Sequence, residues 1–192
     1  EEVKPYFSEE NVLAGAFDVA EKLFEVSFLE RKDLPKYRED IRSFEVKDAD
    51  KKTIGIFYTD YTLRPSKGGG AWMNSVRSQS TFDGNQLPIV FNVCNFPPKN
   101  KEGVSLLSFE QVETLFHEFG HGLHGLLSQA TYPSLSGTRV TRDYVEFPSQ
   151  MMENWAREPE VIKTFAKHYK TGEAIPDELL NKIAAAGKFN AG

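Results

Sequence analysis

One stretch, residues 108–128, constrains this chain more than any other. Val112, Leu115, Phe116, Phe119, Leu123, Leu126 and Leu127 recur there at helical spacing, and Ser108 followed by Gln111 fits a capping box at the start. A helix with that apolar stripe must bury one face against other elements. Embedded in it is His117-Glu118-Phe119-Gly120-His121, an H-E-x-x-H motif. On a helix, residues i and i+4 share one face, so two imidazoles can aim at one zinc ion. Glu118, adjacent to the first of them, stands where a carboxylate can take a proton from an attacking water.

The rest of the chain frames that helix. Apolar spacing from Val12 to Phe28 predicts a helix over 8–32, capped by Ser8 and ended by Pro35. Residues 41–46 and 54–61 read as strands joined by the polar turn 47–52. A third strand is expected over 88–95, after Asp83-Gly84-Asn85. Helical patterns follow over 108–128, 143–157, 159–170 and 176–187. This predicts an α+β fold: a small antiparallel or mixed β-sheet followed by a mainly helical, zincin-like catalytic core.

Composition narrows the function. With 192 residues, 40% hydrophobic and 27% charged, the chain can bury a core without disulfides. A net charge of −5 argues against nucleic acid as a partner. A single cysteine, Cys94, excludes an intrachain disulfide framework and a multi-cysteine zinc site. No apolar run approaches the roughly 18 residues that cross a membrane. No signal segment is visible either, so the cytoplasm is the expected location. The chain opens on Glu1-Glu2 and stops at Lys188–Gly192, straight after a helical pattern. It therefore reads as a fragment of a larger protein, with 1–107 the N-terminal helix and sheet and 108–192 the zinc-binding part. A periplasmic location is the alternative, if a signal preceded Glu1.

A catalytic zinc needs a third protein ligand and an open position for water. His124 is on the same helix but lies about 10 Å along the axis from His117. The three-histidine form of the motif would need Gly at 124 and His at 127, where this chain has His and Leu. The third ligand must come from another element. Glu146 and Glu153 both follow on a helical pattern beyond the loop 129–140. Each also has an ordinary reading: Glu146 as the end of a capping box begun at Asp143, Glu153 as a solvated helix carboxylate. Spacing favours Glu146 and leaves both open.

The run from Phe116 to His124, then Ser136-Gly137-Thr138 and the run from Arg142 to Gln150, resembles the thimet-oligopeptidase family of zinc metallopeptidases. Gly69-Gly70-Ala71-Trp72-Met73, Asn92-Val93-Cys94-Asn95 and the run from Gly172 to Leu179 resemble its peptidyl-dipeptidase branch. The resemblance covers most of the chain and is strongest from Phe57 onward. It implies His117, His121 and Glu146 as zinc ligands and Glu118 as the base. It also implies short peptides as substrates, cleaved with release of C-terminal dipeptides. Members are several times longer, so the rest of the same polypeptide is expected to supply the oxyanion-stabilising groups. Tyr144, where the family more usually has phenylalanine, is a small departure.

Further residues are candidates for support. Glu113, one turn before His117, could accept its other N–H; Gln150 and Glu153, past Glu146, could act similarly. An ordinary solvated role is at least as fitting for each. Gly69, Gly70, Ala71 and Trp72 read either as a sheet edge open to a substrate backbone or as a flexible loop. Gly68-Gly69-Gly70 is not a phosphate loop, because no Lys-Ser/Thr opens a helix after it. Two other functions compete: an endo-acting oligopeptidase, and a non-catalytic peptide-binding module, against which Glu118 speaks because binding needs no base.

Overall fold

A computed structural model describes residues 2–186. The first helix, α1 (Glu9–Phe24), starts where Ser8 Oγ accepts from the Asn11 N–H at 3.3 Å, and it buries Val12, Leu13, Ala16, Val19 and Ala20. It ends earlier than its periodicity predicts. Glu25 turns left-handed (φ 56°), and the chain leaves the helix to form strand β1 (Ser27–Glu30). Phe28 explains both the expectation and its failure. It lies three helical turns beyond Phe17, so a continued helix would put both rings on one face. The strand brings them together anyway, with ring centroids 4.0 Å apart and planes within 3°.

Four more strands complete one sheet: β2 (Arg42–Lys47), β3 (Thr53–Thr62), β4 (Trp72–Arg77) and β5 (Ile89–Phe96). Their order is β1-β2-β3-β5-β4, with β3 and β5 parallel and all other neighbours antiparallel. Strand β4 is an edge, paired on one side only, with Trp72 opposite Val93. Its half-exposed, mixed sequence after a glycine loop carries little strand signal of its own.

Helix α2 (Phe109–Leu126) lies across this sheet. Ser108 and Gln111 close the expected capping box, each accepting from the other's backbone N–H, at 3.2 and 2.9 Å. Phe119 meets Phe17, Phe28 and Phe57 in an aromatic cluster between helix and sheet, with centroids 5.5 to 5.7 Å apart. On its other side α2 packs against α3 (Phe147–Arg157), and α4 (Pro159–Phe165) and α5 (Asp177–Ala186) complete the set. One core runs from Phe7 to Leu180 through all these layers. The fold is α+β, with one mixed five-stranded sheet and five α-helices.

Two further helix boundaries differ from expectation. Residues 143–146 form turns rather than helix, and α3 begins at Phe147 with Pro148 in its first turn, where the missing N–H costs nothing. Helix α4 stops at Phe165, because Lys167 bridges back to Ala174. The expected last residue of the final helix, 187, is outside the described residues. Among the described residues no helix is long and apolar enough to cross a membrane.

The approach of α2 to α3 is set by a glycine. A Cβ at Gly120 would lie 2.6 Å from both Pro148 O and Ser149 Cα. Any side chain there would push the start of α3 away.

Candidate metal centre

His117 and His121 project from one face of α2, their rings edge to face with centroids 4.9 Å apart. Glu146 is the residue just before α3, and the close α2–α3 contact brings it to them. Its Oε2 is 3.3 Å from His117 Nε2 and 3.1 Å from His121 Nε2. Among the described residues these three form a group whose ligand atoms all lie within 4.8 Å of one another.

Two of the three, Glu146 and His117, are held from behind. The buried Ser149 hydroxyl lies 2.8 Å from both Glu146 Oε2 and the Glu146 carbonyl. That hydroxyl, joined by the two imidazoles and opposed by burial, keeps the Glu146 carboxyl below its usual range. His117 Nδ1 is 2.5 Å from Glu153 Oε1, and because a carboxylate oxygen only accepts, it is the Nδ1–H that donates. Arg157 bridges onward, donating to Glu153 Oε2 at 3.3 Å and to Glu113 Oε1 at 2.6 Å. Glu113 therefore faces Arg157, and Glu153 occupies the histidine's other nitrogen. Gln150 is exposed, and its backbone N–H donates to Glu146 O at 2.9 Å. His121 is buried, and that burial lowers its pKa, favouring the neutral imidazole that binds metals.

Glu118 is 6% exposed and its Oε2 has no hydrogen-bond partner. Burial pushes its carboxyl up to about 7, with His117 opposing the rise and Glu146 adding to it. A buried carboxylate oxygen left without a donor, beside two imidazoles and a second carboxylate, is the environment of a site that receives something. It opens on a cleft of about 350 Å³. Ala71, Trp72 and Met73 wall it on the sheet side, Thr138 and Val145 on the other. Gly69 and Gly70 leave open space around the approach, since a Cβ on either would meet nothing within 4 Å.

Two imidazole nitrogens and a carboxylate oxygen fit a catalytic zinc donor set. Ligand atoms about 2.0–2.2 Å from one tetrahedral ion stand roughly 3.3–3.5 Å apart. The 3.1 and 3.3 Å separations here are close to that. His124 is outside the group; it faces Tyr144, with ring centroids 6.2 Å apart.

Residues 1–192 match the profile of Peptidase family M3 along their whole length. The chain belongs to Peptidase family M3. It is 45% identical over 192 residues to the dipeptidyl carboxypeptidase of Escherichia coli (strain K12), covering all of this chain and 28% of that protein. It is 41% identical over 194 residues to oligopeptidase A of the same organism, again covering 28% of the relative. The organellar oligopeptidase A of Arabidopsis thaliana is 41% identical over 200 residues, of which this chain spans 25%. The chain thus spans about a quarter of the length of the relatives it matches. The family is the one that the segment 116–150 resembled.

Within this family M3 site, three contributors went unnoticed in the sequence. Gly120 fills a position that the H-E-x-x-H motif leaves free, yet a mid-helix glycine costs about 1 kcal/mol against alanine and so signals a packing need. Ser149 and Arg157 carry no local signal, because their roles depend on which helix faces which. Cys94 is buried, and burial pushes its thiol up.

Proposed function

We propose that this chain is the metal- and base-bearing part of a zinc metallopeptidase that hydrolyses peptide bonds in short peptides, releasing C-terminal dipeptides. The observation that carries it is the convergence of His117 Nε2, His121 Nε2 and Glu146 Oε2 at the cleft where Glu118 presents an unpartnered carboxylate oxygen. His117, His121 and Glu146 would hold the zinc, in a zincin-like arrangement on α2 and α3. When bound, zinc supplies a Lewis acid for the scissile carbonyl and makes water a stronger nucleophile at neutral pH.

The chain's own residues do the rest. Glu118 takes the proton of the attacking water and delivers it to the departing amine nitrogen, which closes the proton balance of hydrolysis. Glu153 and Ser149 keep His117 and Glu146 in register. Ala71 and Trp72, with Gly69 and Gly70 leaving room, offer the edge of β4 as a strand partner for an extended peptide. In this reading 1–107 contributes that wall and 108–192 the ligands and base. The remainder of the longer polypeptide completes the site with donors for the developing oxyanion.

The test uses the full-length protein. Glu118→Gln keeps stoichiometric zinc and lowers turnover by about 10²–10⁴-fold; unchanged turnover would refute Glu118 as base. The 192-residue chain is expected to bind zinc and hydrolyse peptides poorly. Equal turnover by the chain and the full-length protein, both zinc-loaded, would overturn that. The 41% identity to oligopeptidase A supports a second reading, endo-cleavage. Products from a peptide with a free C-terminus and from its amidated form separate the two, since dipeptide release fails on the amide.

A further inference from the structure

The loop that carries Ala71 and Trp72 into the cleft has little side chain with which to fix itself. It runs through Gly68-Gly69-Gly70, Gly70 has φ 86°, and a Cβ at 69 or 70 would touch nothing within 4 Å. Yet two polar side chains pin it. Asn95, near the end of β5, donates through Nδ2 to Gly68 O and Gly70 O, both at 2.8 Å. Lys67, whose side chain is 3% exposed, donates to Asp60 O at 2.7 Å, Asp60 Oδ1 at 3.0 Å, Thr62 O at 3.2 Å and Cys94 O.

These contacts sit where the loop leaves the sheet. The parallel pairing of β3 and β5 shifts register between Asp60 and Thr62, and the chain must cross β5 there before returning as β4. The ammonium therefore ties together the ends of two strands and the root of the loop. Asn95 ties its glycines to the strand on which Trp72 pairs. A buried lysine–aspartate pair adds little to stability compared with an apolar substitute, but its directed donors select one geometry. Neither residue touches the three ligand candidates.

We infer that Lys67 and Asn95 are positioning residues, holding the 68–72 loop so that the β4 edge meets a substrate backbone at the right distance from the metal centre. This rests on the proposed pairing of substrate with that edge. Two hydrogen bonds lost from the glycine part of the loop, where a Cβ at 69 or 70 would touch nothing, let the edge drift, and a misplacement of about 1 Å is enough to weaken a positioned substrate.

The test uses zinc-loaded full-length protein, a peptide substrate, and analogues N-methylated at one non-scissile amide at a time. Wild type is expected to lose about tenfold in kcat/KM on one of these, because the methyl group removes a strand hydrogen bond. Asn95→Ala is expected to raise KM for the plain peptide by about five- to tenfold with kcat and zinc content unchanged. It should also shrink the N-methyl penalty below about threefold, since that bond is already compromised. Lys67→Met should show the same pattern where it folds; Asn95→Ala decides where it does not. A full N-methyl penalty and normal KM in Asn95→Ala overturns the inference, as does a fall in kcat and thermal stability with KM unchanged. If wild type tolerates every N-methyl analogue, the substrate-edge reading itself fails and this inference falls with it.

Discussion

Gly120→Ala sets two effects against each other inside the H-E-x-x-H motif. Helix propensity favours the substitution by about 1 kcal/mol, because glycine loses more backbone entropy in a helix. Packing opposes it. The new Cβ would sit 2.6 Å from Pro148 O, 2.6 Å from Ser149 Cα and 3.0 Å from Pro148 C, all backbone atoms that cannot swing aside. Carbon–carbon contacts are comfortable at about 3.5–4.0 Å, so the start of α3 must withdraw by roughly 1 Å. Overpacking of that kind costs about 1–3 kcal/mol, which cancels or outweighs the propensity gain. Glu146 directly precedes α3 and is held by Ser149, so its carboxylate withdraws as well. Metal sites tolerate ligand displacements of about 0.2 Å, and the expected result is zinc affinity lowered by about tenfold or more. The assay is competition for zinc against a chelator of known affinity, with chemical denaturation of the metal-free chain alongside. Gly125→Ala is the control. Its Cβ would meet side chains only: Met73 Cε at 2.6 Å, the movable end of a flexible side chain, and Val90 Cγ2 at 3.1 Å. Some stability is lost, while the α2–α3 contact and zinc affinity should hold. A Gly120→Ala chain that gains about 1 kcal/mol and binds zinc within twofold of wild type would refute the packing argument.

Three further outcomes are expected. Glu153→Ala should weaken zinc binding by about 10–100-fold in a titration, since His117 Nδ1–H loses its carboxylate acceptor; unchanged affinity would remove Glu153 from the site. Adding zinc at about 100 times its dissociation constant should stabilise the chain by about 2.7 kcal/mol in urea unfolding, and His117→Ala should abolish the gain. Asp60 supplies a pH test: burial alone would raise its carboxyl, but Arg64, Tyr37 and Lys67 donate to it and hold it well below the usual range. Its contribution is complete above the unfolded value of about 3.9 and is lost as pH falls toward the folded one. The urea-midpoint difference between wild type and Asp60→Asn should therefore stay constant from about pH 7 to 5.5 and shrink below about pH 4. A difference that already changes above about pH 5.5 would contradict this.

How far the sequence could be read follows the range of each interaction. The capping box of Ser108 and Gln111, the stripe from Val112 to Leu126 and the i, i+4 histidines are local, closing within a turn or two, and all were legible. Strand β1 was not, because Phe28 satisfies a helical spacing from Phe17 and only pairing with β2 overrides it. Edge strand β4 was legible only at its start, where Gly69 to Trp72 read as either a sheet edge or a loop; the half-exposed strand that follows has too weak an alternation to decide between them.

The centre itself divides in the same way. That two imidazoles and a neighbouring carboxylate share one helical face follows from the 3.6-residue period of α2, a property of adjacent residues alone. Spacing favoured Glu146 over Glu153 without deciding between them, since both lie on one downstream segment. Their different places, Glu146 Oε2 against the two Nε2 atoms and Glu153 against His117 Nδ1, depend on how near and at what point α3 crosses α2. That crossing is set by backbone-to-backbone contact at Gly120, Pro148 and Ser149, between segments whose relation exists only once the sheet and core have brought them together.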